Sequence, residues 1–408
     1  MALRDRIHTL IPMRCEGCPW PHAPIVESIE RRVGAIVCIV GEGPAREEVA
    51  RGMCFVGPSG RELDKTLNRA GIDRRECAIT NAHACARPEG ATPKQEVEAV
   101  EACREGLWGF LSEVKPKSLV LLGGRALRAV APGFVASALS DGLMRHRGSL
   151  WSWSEVEAAN STLSLSMTLP GVRYVMATIH PAAIIRREKL EGFPAMGYRM
   201  VPALDVKRVV EAVGKGRTLA PIERAFGAPP WRGEPFCIDI ETRSTTDRMP
   251  EWVGVQHLEA GGPVYGGPWV AMRDWIGREM GGSALKVAHN GLGFDFPLLI
   301  AQGIEVREPY ADTMSMAGMC ESDMARGLAY NVAYYMGHQR PFYKDVYRAD
   351  VRPETRRALR AAWSQTGIVP QMFMDGEWSE WANALDVDST RLIYGAMLAR
   401  GRREGWTS

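Results

Sequence analysis

Three polar residues, Glu42, Asn81 and His180, each come just after an apolar run that is typical of a buried β-strand. Helical patterns separate the runs, so the first half of the chain predicts a parallel α/β sheet. Because parallel strands end at the same rim of a sheet, these three side chains can meet in one pocket. A carboxylate, an amide and an imidazole there can hold a polar ligand and act on its protons or its charge.

The loop after the first strand has the features of a ligand site. Residues 41–60 break on glycine and proline and present one aromatic side chain, Phe55, between glycines. Glycine lets the backbone approach a ligand closely, and open α/β sheets bind ligands at this edge. An ordinary strand–loop–helix connection carries similar residues, so the loop alone leaves both interpretations open.

Four cysteines in the first half form a second candidate site: Cys15, Cys18, Cys85 and Cys103. Four thiolates fit a [4Fe-4S] cluster or a structural zinc ion, and their spacing does not choose between the two. The other cysteines lie in apolar or strand contexts and are expected to be buried. They are Cys38, Cys54, Cys77, Cys237 and Cys320.

Spaced carboxylates mark the second half. Asp239 and Glu241 are two residues apart in an apolar run, which puts both side chains on one face of a strand. Asp295 begins a predicted helix, and Asp386 lies on a late one. Four carboxylates brought together can hold two Mg²⁺ or Mn²⁺ ions that activate water on a phosphodiester. An Asp-x-Glu pair alone is weak evidence, since surface strands often carry one.

Composition bounds the class of protein. The 408 residues suggest two or three domains, and 46% hydrophobic with 24% charged residues is typical of globular proteins. The absence of a long apolar run or signal peptide predicts a cytoplasmic protein of a bacterial or phage-infected cell, with no membrane partner. Nine cysteines in such a chain argue against a disulfide framework.

The charge is uneven between the two halves. Residues 1–220 hold 30 Lys and Arg against 24 Asp and Glu, and the remainder holds 20 against 24. A basic half suits a polyanion and an acidic half suits divalent cations, although a solvated surface gives the same counts.

The expected elements define two domains, 1–214 and 234–408, joined by a Gly- and Pro-rich linker at 215–233. Residues 131–172 are poorly patterned and predict a loop with one short helix. The expected strands are 35–40, 77–80, 118–124, 174–179 and 236–242, followed by an apolar segment at 285–290. The main expected helices are 61–69, 94–111, 202–213, 294–300 and 377–402.

Several motifs in the first 210 residues resemble, in order and spacing, those of family 4 uracil-DNA glycosylases. They lie at 41–45, 54–57, 80–88, 93–103, 115–117, 122–123 and 180–182. The resemblance implies a three-layer α/β/α parallel-sheet fold. It also implies a structural [4Fe-4S] cluster on Cys15, Cys18, Cys85 and Cys103.

The same resemblance implies that the chain cleaves the N-glycosidic bond of uracil in DNA, single- or double-stranded. The Asn81 amide is expected to read the uracil edge, and Phe55 to stack on the base. His180 is expected to donate to uracil O2 as the base leaves as an anion. Glu42 is the candidate for positioning water.

Further pocket and DNA contacts follow from the resemblance. Gly43 takes the place of an Asp found in family 1, and Glu48 is expected to shape the pocket against thymine. Ala45 departs from the usual glycine. His83 has no family role and is expected to be a surface or packing residue. The DNA-facing residues are expected to be an apolar wedge and one cation: Ile184, Ile185 and Arg186.

Residues 234–405 resemble a DEDD-type 3′–5′ exonuclease, which has an RNase H-like α/β fold. The resemblance rests on segments 239–241, 290–299 and 386–390, and it implies Mg²⁺ or Mn²⁺ on Asp239, Glu241, Asp295 and Asp386. The family has Tyr or His four residues before the last Asp, where this chain has Ala382. Tyr343 and Tyr347 are candidates to replace that group, and Asp312 matches a family position of uncertain role.

The sequence thus predicts a DNA repair hydrolase that excises uracil and carries a metal-dependent 3′–5′ exonuclease module. Its partners would be DNA and a separate DNA polymerase. Two alternatives stay open at this point: a non-catalytic accessory that binds uracil or DNA ends, and a nuclease whose cluster domain only clamps DNA.

Overall fold

The computed structural model describes residues 17–26, 30–135, 143–191, 196–216, 222–242, 249–320, 326–336, 354–355, 357–359, 361 and 378–405. The chain forms two compact units. The first unit is Met1–Thr218 with Pro341–Gly367, and the second is Leu219–Arg340 with Ile368–Ser408. Thr355 belongs to the first unit, where its hydroxyl donates to the Gly133 carbonyl oxygen at 2.8 Å. The domain limits expected from the sequence stay a prediction.

The first unit is built on a five-stranded sheet of order β2-β1-β3-β5-β4. The first four of these strands are parallel, and β4 pairs antiparallel with β5 at the edge. The α/β class with a parallel sheet is therefore confirmed. The strands are β1 Val37–Gly41, β2 Cys77–Asn81, β3 Ser118–Leu122, β4 Leu150–Ser152 and β5 Tyr174–Thr178.

Every residue of β1, β2 and β3 is buried, so both faces of this sheet are covered, as expected when helices lie on each side. On one face, Leu63 and Leu67 of one helix and Val206 and Val209 of another pack on the strands. The described helices are α1 Arg46–Arg51, α2 Pro58–Ala70, α3 Pro93–Val114, α4 Gly124–Val130, α5 Leu143–His146, α6 Trp153–Ser161, α7 Pro181–Glu191 and α8 Met196–Lys215.

The prediction for residues 131–172 was wrong. This stretch contains α5, α6 and the edge strand β4, where Trp151 is buried and stacks on Phe134 at 4.5 Å. A three-residue strand is too short to show an alternating pattern, so packing of Trp151 rather than local periodicity defines it.

The second unit holds a six-stranded sheet of order β11-β10-β7-β8-β9-β6. Strands β7, β8 and β9 form an antiparallel meander, while β10 and β11 run parallel to β7. The strands are β6 Arg224–Phe226, β7 Phe236–Thr242, β8 Pro250–His257, β9 Gly261–Pro268, β10 Lys286–Ala288 and β11 Tyr310–Asp312.

The helices of this unit lie between and after the strands. A long C-terminal helix covers one face of the sheet, where Ala384 and Val387 pack on Cys237 and Val264. The helices are α9 Trp269–Met280, α10 Asp295–Ala301, α11 Thr313–Cys320, α12 Leu328–Met336 and α13 Trp378–Glu404.

Four strands of the second unit, β6, β8, β9 and β11, had no counterpart among the predicted elements. Strand β6 lies inside the stretch expected to be a linker and pairs with β9. Strand β9 is rich in glycine and proline, which usually signal turns. Among the described residues, no helix combines the length and the apolarity needed to cross a membrane.

Candidate functional site

The first candidate site lies at the carboxyl edge of the parallel sheet of the first unit. Gly41 pairs with Asn81, and Leu122 with Thr178, so the strands end at one level. A cavity of about 200 Å³ opens there. It is lined by Glu42, Gly43, Pro44, Ala45, Glu48, Phe55, Ser59, Asn81, His83, Arg87, Glu96, His180 and Ala182.

Phe55 is held in an uncommon backbone conformation. Its φ of 52° lies in the left-handed region that non-glycine residues rarely adopt. Its ring lies over Gly41, because a Cβ added to Gly41 would be 2.5 Å from Phe55 Cζ. The centroids of the Phe55 and His180 rings are 6.0 Å apart. Helix α2 can approach the Phe55 carbonyl because residue 60 is glycine: a Cβ added to Gly60 would lie 1.8 Å from the Phe55 carbonyl oxygen. Such strain persists only where the surroundings enforce it.

Two charged side chains enforce this conformation. The buried Glu48 carboxylate accepts from the backbone N–H of Ala45 at 3.1 Å and of Gly57 at 2.8 Å. From the other side, the Arg74 guanidinium donates to the carbonyl oxygens of Phe55 at 3.2 Å and Cys54 at 3.4 Å. The loop that carries the ring is thus fixed at both ends, and no sequence pattern predicted the role of Arg74.

Asn81 is buried, and its amide orientation is set by Cys54. Nδ2 donates to the Cys54 sulfur at 3.4 Å, while Oδ1 lies above Gly41, 2.4 Å from where a Cβ would be. A side chain at Gly41 would displace both the amide and Phe55. The amide can therefore present one acceptor and one remaining N–H to a ligand.

His180 follows β5, and its tautomer can be assigned. The Ala182 N–H donates to His180 Nδ1 at 3.1 Å, so the proton of the neutral ring is on Nε2. Desolvation by the packed pocket wall, and then the charge of Arg186, lowers the pKa of His180 to about 4. The ring is neutral near pH 7 and has one N–H to donate.

Glu42 and Gly43 are in the pocket with an unexpected neighbour. Glu42 Oε1 accepts from the Arg125 N–H at 3.3 Å, at the start of α4. A Cβ on Gly43 would lie 1.9 Å from Cε1 and 2.4 Å from Nε2 of His83, so this imidazole occupies the space of a side chain there. His83 was expected to be a surface or packing residue; it is buried, packs against Gly43 and also lines the cavity.

The state of His83 follows from its own partner. Nδ1 lies 2.8 Å from the Cys85 carbonyl oxygen, which can only accept, so Nδ1 carries the proton. Burial lowers the pKa of the ring below its usual value. Nε2 is then an acceptor beside Gly43. No sequence motif pointed to this residue.

The three residues expected at the DNA face divide by burial. Ile184 is fully buried in the first unit, so it is not on the surface and its expected wedge role is corrected. Ile185 is half-buried and Arg186 is exposed. The α-helical repeat explains the difference, since neighbouring residues of α7 point about 100° apart.

Three of the four candidate cluster cysteines are described, and Cys15 lies outside the described residues. Cys85 and Cys103 are buried, and Cys18 is half-buried. The Cys18 sulfur accepts from the Trp20 N–H at 3.4 Å. Backbone bonds from Val26 to Ala84 and from Ala86 to Pro24, both 2.9 Å, hold the segment with Cys18 beside Cys85. Cysteines from separate segments held side by side, one of them with an N–H donor to its sulfur, fit an iron–sulfur cluster.

A second candidate site lies in the second unit. Carboxylate oxygens of Asp239, Glu241 and Asp386 lie within 4.8 Å of one another. Asp295 Oδ1 accepts from the Ile240 N–H at 3.0 Å, which places it behind the Asp-x-Glu pair. Burial, with nearby Asp312 and Glu241, raises the pKa of Asp295 to about 7. We name Asp239, Glu241, Asp295 and Asp386 the acidic group.

Asn383 supports the acidic group and was missed in the sequence. Its Nδ2 donates to Asp239 Oδ2 at 2.8 Å and to the Asp239 carbonyl oxygen at 2.9 Å. Asp312 has a structural role, since it accepts from the N–H groups of Asn290 and Leu292 at 3.0 Å and of Met314 at 2.8 Å. Ala382 lies in α13, while Tyr343 and Tyr347 lie outside the described residues.

Comparisons with known proteins identify relatives of the first half of the chain. Residues 31–197 match the Uracil DNA glycosylase superfamily. A type-4 uracil-DNA glycosylase of Pyrobaculum aerophilum is 30% identical over 194 residues, 46% of this chain and 87% of its own length. Those of Thermotoga maritima and Archaeoglobus fulgidus are 28% and 29% identical, over 47% and 44% of this chain and 90% and 78% of their lengths.

A solved structure described as "apo form of the nuclease" matches 46% of this chain and 84% of its own length. Its sequence identity is 17% and its TM-score is 0.32, which is too low to support an argument about fold or function.

Proposed function

This chain belongs to the uracil-DNA glycosylase superfamily, and on that premise we propose that it is a hydrolase that excises uracil from DNA. The observation that carries the proposal is the convergence of Phe55, Asn81 and His180 around one cavity at the carboxyl edge of the sheet. The alternative of a passive uracil-binding protein has less support, because the pocket also holds Glu42 and a neutral imidazole with a free N–H.

Recognition of uracil rests on a rigid pocket. The Asn81 amide accepts from uracil N3–H and donates to O4, and cytosine presents the reverse pattern at this edge. Cys54 keeps the amide from rotating. The ring of Phe55, fixed through Glu48 and Arg74, provides the stacking face.

Bond cleavage leaves negative charge on the base and positive charge on the sugar. The Nε2–H of neutral His180 donates to uracil O2 and stabilises the leaving anion. Because the ring is already neutral and oriented by Ala182, no rearrangement is needed. Glu42 supplies negative charge near the sugar and positions the attacking water. His83 Nε2, beside Gly43, offers that water an additional acceptor.

We also propose a [4Fe-4S] cluster on Cys15, Cys18, Cys85 and Cys103. When bound, it would cross-link the segment with Cys18, the segment with Cys85 and helix α3. Its role is structural, and no step of the reaction depends on it.

One assay tests the glycosylase proposal. Wild-type protein should cut a uracil-containing oligonucleotide, after alkali treatment, equally well in EDTA and in magnesium, since no group in the pocket requires a divalent ion. Asn81→Asp should lose selectivity for uracil, because an ionised carboxylate cannot donate to O4. Absence of alkali-labile sites with wild-type protein on both single and double strands would contradict the proposal.

For the second unit we propose a metal-dependent 3′–5′ exonuclease module. Three carboxylates within 4.8 Å, with Asp295 behind them, match the ligand set for two divalent ions. The antiparallel meander beside two parallel strands is the arrangement expected of an RNase H-like fold. The competing proposal is a module that only holds DNA ends, and the observation that favours it is Ala382 in place of a water-orienting side chain.

The substitution Ala382→Tyr separates these two proposals. We expect weak release of mononucleotides from a 3′ end by wild-type protein in Mn²⁺, and a rise of at least tenfold in Ala382→Tyr, since such groups typically contribute about 10²–10⁴-fold. If both proteins are inert while Mn²⁺ and DNA ends still bind, the second unit is a binding module. A DNA polymerase in a separate chain is the partner we propose for either case.

A further inference from the structure

A second cavity, of about 160 Å³, lies in the second unit beside the acidic group. Phe226 and Trp252 form its aromatic wall, with their ring centroids 5.9 Å apart in edge contact. Phe226 is 77% exposed, an unusual position for a large aromatic ring on a strand. Arg224 also lines the cavity, which therefore combines apolar faces with a cation.

The register of the sheet connects this cavity to the acidic group. Asp239 pairs with Gly254, Gly254 with Gly266, and Gly266 with Phe226, across four neighbouring strands. Directly paired residues share a sheet face, so Phe226 and Asp239 are on the same face. Since neighbouring strands lie about 4.8 Å apart, and Gly266 is two strands from Asp239, their backbones are roughly 10 Å apart.

Gly254 and Gly266 leave room for the neighbouring side chains that line the cavity. A Cβ on Gly266 would lie 3.0 Å from Trp252 Nε1, so the indole lies across that position. A Cβ on Gly254 would lie 1.8 Å from Asn383 Oδ1. Asn383 therefore stands between the two sites, because it lines the cavity and also donates to the Asp239 carboxylate.

A ligand that fills both sites must have a flat apolar part and an anionic part that binds carboxylate-held cations. A nucleotide has both, whereas an alkyl chain or an apolar peptide side chain lacks the anion. We propose that this cavity binds the base of a nucleotide near the 3′ end of a DNA strand, by stacking on Phe226 and Trp252, with the phosphate at the acidic group. The inference rests on the proposed exonuclease module and adds to it a base-binding site built from β6, β8 and β9.

The test uses the full chain and a single-stranded thymidine oligonucleotide with one 2-aminopurine at each of the last four positions in turn. In Ca²⁺, which holds DNA while slowing hydrolysis, wild-type protein should quench the fluorescence most strongly at one of these positions. Phe226→Ala should lose that quenching and bind about tenfold more weakly, as expected for loss of one base-stacking contact. Val270→Ala, which truncates another exposed apolar residue of this unit, should leave both unchanged.

Cleavage in Mn²⁺ distinguishes failure of this inference from failure of the nuclease proposal. If nucleotides are released, Phe226→Ala should raise KM about tenfold and leave kcat unchanged. Position-dependent quenching that disappears in Phe226→Ala, without any nucleotide release by wild type, would support the base site and end the nuclease proposal. Equal quenching at all positions, or equal KM and quenching in wild type and Phe226→Ala, would overturn the base site.

Discussion

The cavity at the carboxyl edge of the first sheet and the acidic group differ in how their charged side chains are compensated. In the pocket, the Glu48 carboxylate accepts from two backbone N–H groups, and the rings of His83 and His180 are neutral with assigned tautomers. In the acidic group, oxygens of Asp239, Glu241 and Asp386 come within 4.8 Å of one another. Carboxylates at such a short distance repel each other, and a bound cation removes this repulsion. Protein groups compensate the charges of the first site, whereas the proposed divalent cations would compensate those of the second.

The difference also concerns what orients the reactive groups. Phe55, Asn81 and His180 are each set by a neighbour within the protein, so substitutions of those neighbours should have graded effects. The proposed metal ligands of the acidic group would act together, so removal of one should have an all-or-none effect.

Loss of one acidic ligand should abolish activity in the second unit alone. Asp239→Ala should reduce Mn²⁺-dependent release of nucleotides to background, because Asp239 is central to the acidic group. Uracil excision in EDTA should not change. Calorimetric titration with Mn²⁺ should show lost binding, and Asp274→Ala, an exposed acid of the same unit, should bind as wild type does. A parallel loss of uracil excision would show that the two activities are not independent.

His180→Ala should lower the single-turnover rate of uracil excision by roughly 10²–10³, the usual loss for one donor to a developing anion. The measurement is alkali-labile cleavage under enzyme excess in EDTA. Exonuclease activity, measured in Mn²⁺ on the same preparation, serves as the control for folding of the rest of the chain. A rate within threefold of wild type would mean that another group stabilises the leaving base.

His83→Phe should test the role of Nε2 beside Gly43. The phenyl ring keeps most of the volume and removes the acceptor, so we expect kcat to fall about tenfold with little change in KM, as for loss of one hydrogen bond. His83→Gln, which keeps an acceptor, should recover part of the rate. If His83→Phe and His83→Gln lose equal activity, the imidazole only fills space.

Cys54→Ala should loosen the Asn81 amide without removing it. The preference for uracil over cytosine should fall about fivefold, since one weak hydrogen bond holds the amide orientation. Competition between the two bases in otherwise identical oligonucleotides measures this ratio. Cys38→Ala, a buried thiol of the same unit outside the pocket, is the matched control. An unchanged ratio in Cys54→Ala would show that packing alone orients Asn81.

The last expected effect is on stability, and it appears in the pH dependence of unfolding. The pKa of His180 is lowered to about 4 in the folded protein, so the unfolded chain binds more protons between about pH 6.5 and pH 4. The His180 contribution to stability is therefore full above pH 6.5 and decreases as the pH falls toward 4. Denaturant titrations at pH 7 and pH 5 should show a smaller pH effect in His180→Gln. If the free energy of unfolding changes between pH 7 and pH 5 by the same amount in His180→Gln and in wild type, the lowered pKa of His180 is contradicted.

Local sequence pattern was enough to identify the residues at the strand ends. Long apolar runs identify β1, β2, β3 and β5, because strands buried on both faces must be continuously apolar. Parallel pairing then brings the residues that follow to one edge, which is why Glu42, Asn81 and His180 could be predicted to meet. The Asp239 and Glu241 pair was equally visible, since strand periodicity puts both on one face.

Tertiary structure alone decided which neighbours orient those residues. The contacts of His83 with Gly43, Arg74 with Phe55, and Asn383 with Asp239 join segments far apart in the chain. Ile184 is buried although Arg186, two residues on, is exposed, because the direction of a helix face depends on what the helix packs against. Strand β9 forms despite its glycines because its neighbours supply the pairing. Local sequence pattern determines which segments become strands and helices, whereas packing between distant segments determines how the site residues are oriented.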